Sequence, residues 1–103
     1  MYRVVYTKRA VKDIKNLKSA KLDNKARELI EIVKNNPFQN PPFYEKLVGN
    51  LYGAYSRRIN IQHRFVYEII EQPHVYNETD YDGIVKILSM WTHYAVSYTH
   101  LTL

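Results

Sequence analysis

Two apolar stripes at helical spacing, both ending before Asn35-Asn36-Pro37, restrict this chain more than any other feature. After that point only strand-length segments remain. Ala10, Val11, Ile14 and Leu17 repeat at a period near 3.6, and Leu22, Ala26, Leu29, Ile30 and Val33 do so again almost at once. Thr7 stands where a helix N-cap is wanted, because its hydroxyl can accept a bond from a free first-turn N–H. Pro37 stops the second helix by disfavouring helical backbone in its predecessor and offering no N–H. The pattern predicts a helical hairpin whose stripes must lie on something flat.

The flat element comes from the rest of the chain. Tyr2–Tyr6 reads as a strand, as do Ala54–Ile59, Arg64–Glu71 and Ile84–Trp91. Phe38–Tyr44, with Pro41 and Pro42, is a stiff connection, Asn60–Gln62 a tight turn, and Gln72–Gly83 a long polar loop with acids at Glu78, Asp80 and Asp82. The order β-α-α-β-β-β predicts an α+β fold: an antiparallel β-sheet with the helical hairpin packed on one face. Residues 1–94 make one domain, and Ala95–Leu103 is expected to be a C-terminal extension or an artefact of the sequence.

Charge narrows the partners. Residues 1–34 hold ten Lys/Arg against four Asp/Glu, and the remainder holds five against six, giving +5 for the 103 residues. A basic surface confined to one segment suits a polyanion such as nucleic acid, with Lys8, Lys12 and Lys15 as candidate contacts. Charge alone is met equally well by solvated helix faces. The chain has no cysteine, which excludes disulfides and thiolate-bound metal. No apolar run is long enough for a bilayer, and Met1–Tyr6 is too short and polar for a signal peptide, so no membrane partner and a cytoplasmic location are expected.

Within residues 45–67 fall one carboxylate, Glu45, three arginines at 57, 58 and 64, and His63. These are parts for cutting RNA with side chains alone. A carboxylate takes the proton of a ribose 2′-hydroxyl, guanidiniums hold the phosphate, and an imidazole protonates the leaving oxygen. Strand alternation puts Arg57 with Tyr55 and Ile59 on one side and Arg58 with Ser56 on the other. With Phe65, Tyr67 and Ile69 facing the core, Arg64 falls on the open face, where it can meet Arg57 or Arg58 across a hairpin. Each arginine taken alone is better explained as a surface residue paired with a nearby carboxylate. His63 closes the turn, His74 lies in the polar loop, and His93 follows the last strand beside Tyr94. No His, Asp or Glu has metal-ligand spacing, no glycine-rich phosphate loop is present, and no serine sits on a nucleophile elbow.

Glu45-x-Leu47, Leu51-x-Gly53-x-Tyr55-Ser56-Arg57-Arg58-Ile59, His63-Arg64-x-Val66-Tyr67 and His93-Tyr94, with Asn36-Pro37-Phe38 ahead of them, resemble the Txe/YoeB toxins of the RelE superfamily over residues 2–94. The resemblance implies a toxin of a toxin–antitoxin pair that enters the ribosomal A site and cleaves mRNA by 2′-oxygen attack, leaving a cyclic phosphate. It implies Glu45 as general base, Arg58 and Arg64 as phosphate holders, His93 as general acid and Tyr94 as its neighbour; Arg57, from the strand reading, is expected as a further phosphate contact. No metal or cofactor is implied. The implied partners are a YefM-like antitoxin with an acidic segment, the ribosome and mRNA, and a homodimer is left open. Three departures stand out: Val48-Gly49 where relatives are basic, the long acidic 72–83 loop, and nine residues beyond His93-Tyr94. The competing expectations are a non-enzymatic inhibitor on the same scaffold, like the gyrase-poisoning ParE toxins, and a plain RNA-binding module.

Overall fold

The computed structural model describes residues 1–49 and 53–91. Strand β1 (Tyr2–Tyr6) leads into helices α1 (Lys8–Ser19) and α2 (Asp23–Asn35). Strands β2 (Tyr44–Lys46), β3 (Ala54–Arg58), β4 (Arg64–Ile70), β5 (His74–Tyr76), β6 (Thr79–Tyr81) and β7 (Gly83–Ser89) follow. Five of them form one sheet in the order β1-β7-β4-β3-β2. It is antiparallel apart from the β1–β7 pair, which runs parallel. The expected α+β fold is therefore what forms, with a parallel strand on one edge.

The helices begin and end as their sequences direct. Thr7 caps α1, its Oγ1 accepting from the N–H of Ala10 at 3.1 Å and donating to the carbonyl of Leu88 at 2.8 Å. The link to α2 is a Schellman turn: Leu22 N–H donates to the Leu17 carbonyl and Lys21 N–H to that of Lys18. Lys21 sits there at φ 60°, a position that more often takes glycine. Ala10, Leu17, Ala26, Leu29 and Val33 are buried from the helix side, against Phe65, Tyr67, Val85, Ile87 and Met90. The α1 stripe is rotated from the one expected. Val11 is half exposed, and Asp13, among lysines in sequence, is buried.

Asp13 is buried because it has work inside. Its Oδ2 accepts from the backbone N–H of Met90 at 2.9 Å and of Trp91 at 3.2 Å. An acid on α1 thereby satisfies the two amides where the chain leaves β7, and a carboxylate bonded to N–H groups tolerates burial.

The Gln72–Gly83 segment, expected as a loop, is a second small sheet. β5 and β6 pair antiparallel around Asn77 and Glu78, both at positive φ, as a two-residue type I′ hairpin turn requires. His74 stacks on Tyr81, and Arg3 lies 4.1 Å over the Tyr76 ring. The hairpin leaves β4 after Ile70, six strand steps from Arg64, or about 20 Å at the rise of a strand. Its acids stand at the far end of the sheet from the three arginines. Gly83, which opens β7, is required by close approach: a Cβ there would meet the carbonyl oxygen of Ile70.

Candidate active site

The registers of β2, β3 and β4 decide which side chains can meet. Glu45 pairs with Ser56, Ser56 with Val66, and Arg58 with Arg64. Tyr44 pairs with Arg57, and Arg57 with Phe65. Because faces alternate, Glu45, Ser56, Arg58, Arg64 and Val66 share the face away from the helices, and Tyr44, Tyr55, Arg57, Phe65 and Tyr67 share the core face.

Glu45 and Arg58 are exposed on that face, while Ser56 and Val66 between the strands are buried, and among the described residues neither Glu45 nor Arg58 has a hydrogen-bond or ion-pair partner. They lie on neighbouring strands one diagonal step apart, a spacing of about 7–8 Å that long side chains span. Arg58 and Arg64 are directly opposite, and two like charges so placed repel. Arg64 is half-buried, and its Nη1 is steered by the turn that precedes it, donating to the carbonyls of Asn60 at 3.2 Å and Ile61 at 3.3 Å. The turn is held by Asn60, whose Oδ1 accepts from the N–H groups of Gln62 and His63. His63 is buried, with its ring stacked 3.9 Å from that of Trp91.

Arg57 corrects the expectation made for it. It is 1% exposed, so it cannot serve as a phosphate contact on the surface. Its Nε donates to the Tyr67 hydroxyl at 2.9 Å, Nη1 to the Pro42 carbonyl at 2.6 Å and Nη2 to the Pro37 carbonyl at 3.0 Å. The guanidinium carbon lies 4.8 Å from the Tyr44 ring centroid, and Tyr44 and Phe38 pack edge-on against Tyr55, which stacks on Tyr67. One arginine thus bolts both ends of the 37–42 proline segment to the sheet. Since β2 is only three residues long, this bolt also fixes where Glu45 starts. Burial pushes the Tyr67 hydroxyl above its ordinary pKa of 10, and the charge and hydrogen bond of Arg57 oppose that rise.

The other expected residues fall elsewhere. Lys8, Lys12 and Lys15 are exposed on α1, in the helical layer on the opposite side of the sheet from Arg58 and Arg64. They and the arginines face different directions. His93, Tyr94 and the 95–103 extension lie outside the described residues. Among the described residues no group of three or more His, Cys, Asp or Glu could hold a metal. No described helix is long and apolar enough to cross a membrane.

Residues 6–94 match the family model of the YoeB-like toxins of bacterial type II toxin–antitoxin systems. The chain belongs to that family. Three solved structures show the likeness. A YoeB/ParE toxin from Agrobacterium tumefaciens superposes with a TM-score of 0.70 at 26% identity, over 89% of this chain and 99% of the other. A YoeB-YefM complex from Staphylococcus aureus gives 0.67 at 31% identity, over 91% and 99%. YafQ from Escherichia coli gives 0.68 at 16% identity, over 93% and 98%, which speaks to the fold alone. No curated protein sequence matches the chain significantly.

Proposed function

We propose that this toxin is a ribosome-dependent endoribonuclease that cleaves mRNA in the A site using its own side chains. The observation that carries the reading is the register that brings Glu45, Arg58 and Arg64 onto one face, the one away from the helices, of a YoeB-family chain. Glu45 accepts the proton of the ribose 2′-hydroxyl, and the 2′-oxygen attacks the adjacent phosphorus. Arg58 and Arg64 hold the non-bridging oxygens as charge grows on them. The bond from phosphorus to the 5′-oxygen breaks, and His93, with Tyr94 beside it, returns a proton to that oxygen. The products are a 2′,3′-cyclic phosphate and a free 5′-hydroxyl.

The proposed partner is a YefM-like antitoxin, supported by the YoeB-YefM complex solved from S. aureus. Its acidic segment would neutralise the Arg58–Arg64 pair with the same bidentate bonds a phosphate makes. Work on ribosomes places the toxin in the cytoplasm. A homodimer is a further proposed assembly, supported by a YoeB dimer solved from S. aureus.

The test is single-turnover cleavage of mRNA on programmed ribosomes with 5′-end mapping. A positioned acid or base contributes about a hundred- to ten-thousandfold. Glu45→Ala and His93→Ala should each lower the rate by a factor in that range with ribosome binding retained. Near-wild-type cleavage by both variants refutes the acid and base assignment. A wild type that leaves ribosome-bound mRNA intact refutes the nuclease reading, and the gyrase-inhibitor and RNA-binding readings then take its place.

A further inference from the structure

We propose that Phe43 is a stacking platform for one base of a single-stranded RNA whose phosphate lies on the Arg58–Arg64 pair. The proposal rests on reading that face as the RNA site. Phe43 is 70% exposed, although it stands between two anchored neighbours. Before it, the Pro42 carbonyl accepts from Arg57 at 2.6 Å. After it, the Tyr44 ring lies under the Arg57 guanidinium and edge-on to Tyr55, and Tyr44 pairs with Arg57 in the β2–β3 ladder. With Tyr44 on the core face, the residues on either side of it belong to the open face. Phe43 immediately precedes β2, whose ladder ends at the Tyr44–Arg57 pair, and an extended continuation of that register would set it across from Arg58, which is itself paired with Arg64.

Phe43 just before β2, Arg58 on β3 and Arg64 on β4 thus fall on adjacent segments, with strands spaced about 5 Å apart and Glu45 two residues after Phe43. A large ring held in water by a fixed backbone has little motion left to lose when it is covered. What covers it must also tolerate the exposed guanidinium next to it. An apolar protein surface would strip water from Arg58 without replacing it. A nucleotide offers a π-face to the ring and a phosphate to the guanidiniums together. Any base presents such a face, so this contact holds the strand without selecting a sequence.

The experiment measures binding of a six-nucleotide RNA carrying 2′-O-methyl sugars, which cannot be cut, to the full chain at low salt where the phosphate term is strong. Phe43→Ala should weaken binding about five- to hundredfold, the range for one base on one aromatic ring. Phe43→Leu, apolar but without a π-face, should fall nearly as far, and Phe43→Trp should bind at least as well as the original. Abasic sites are then placed one position at a time. One of them should weaken the wild type by a similar factor, and Phe43→Ala should lose nothing more on that oligonucleotide. Equal binding by Phe43→Leu and wild type overturns the proposal, as does failure of the wild type to bind the oligonucleotide. If Phe43→Ala weakens only antitoxin binding, the ring belongs to a protein interface and the proposal falls. Cleavage on ribosomes is read in parallel. A wild type that binds through Phe43 but cuts nothing keeps the platform and loses the nuclease reading.

Discussion

Arg57 and Arg58 are adjacent, identical in chemistry and opposite in setting, so replacing each by methionine separates their roles. Methionine fills much of the arginine volume and leaves no donor. At position 57 the part-buried Pro42 carbonyl loses the guanidinium that bonded it at 2.6 Å, and an abandoned acceptor there costs toward the low end of about 1–3 kcal/mol. The Pro37 carbonyl fares better, because the Tyr67 hydroxyl also donates to it at 3.3 Å. Tyr67 loses a charged donor, a bond worth about 1.5–3 kcal/mol. Against these losses, removing a charge held away from water returns part of its desolvation penalty. The net for Arg57→Met is about 2–4 kcal/mol of destabilisation, a large share of the 5–15 kcal/mol typical of a domain. At about 4–8 °C per kcal/mol for a domain of this size, the melting temperature should drop by roughly 8–32 °C. Arg58→Met, at an exposed position, should stay within about 0.5 kcal/mol of the original. Urea unfolding followed by circular dichroism measures both. Tyr67→Phe added to Arg57→Met should cost less than it does alone, by at least about 0.5 kcal/mol, because the two share a bond. Equal stabilities of the two methionine variants refute the bolt and return Arg57 to the surface.

Charge reversal of Lys8, Lys12 and Lys15 together should flatten the salt dependence of ribosome binding while sparing free-RNA binding at the sheet face, because the lysines and arginines face opposite ways; equal loss in both assays would show that one RNA path touches both layers. Asp13→Ala should destabilise by about 2–4 kcal/mol in urea unfolding, since the Met90 and Trp91 amides lose the carboxylate that accepts from them, and an effect below about 0.5 kcal/mol would dismiss that role. Tyr67 has a folded-state pKa above 10, so its contribution to stability is complete below pH 10 and is lost as pH rises through the folded value. Stability measured from pH 9 to 11.5 should therefore decline, and Tyr67→Phe should make the decline shallower; Tyr2 and Tyr6, also raised by burial, account for part of what remains.

Periodicity made the helices, their limits and the four long strands legible, because apolar spacing and proline act locally. Register was legible in part: alternation alone separates Arg57 from Arg58 and puts Arg64 with the latter. The same alternation sets Arg57 beside Tyr55, on the side that carries the core, and that is the signal for its burial. Carbonyl acceptors of a proline segment leave no mark in side-chain composition, so nothing in the sequence shows what makes burial of a charge tolerable there. Asp13 carries a comparable signal, lying three residues after Ala10 and four before Leu17 on the apolar stripe. Its lysine neighbours hide it by suggesting a solvated face. The β5–β6 hairpin was missed because its strands are three residues each and its turn is Asn-Glu rather than Asn-Gly. The β1–β7 parallel pairing joins the two ends of the described chain, a contact that no local pattern encodes.

The two buried charges of opposite sign have a common logic. Arg57 fastens the segment that delivers Phe43, Tyr44 and Glu45, and Asp13 fastens the end of β7, from which the chain runs on toward His93. In both cases the acceptors or donors are backbone groups at places where regular pairing has stopped, so the sheet itself cannot satisfy them. A hydrophobic residue at either position would pack as well, yet it would leave the carbonyls of Pro37 and Pro42 or the amides of Met90 and Trp91 less well satisfied. A buried ion is weak evidence for stability in general, but a directional one fixes where a strand starts or stops. Acid–base chemistry between groups carried on separate segments depends on that placement to within fractions of an ångström. The strongest internal constraints of this small domain therefore fall on the segments that carry or lead to its proposed acid and base.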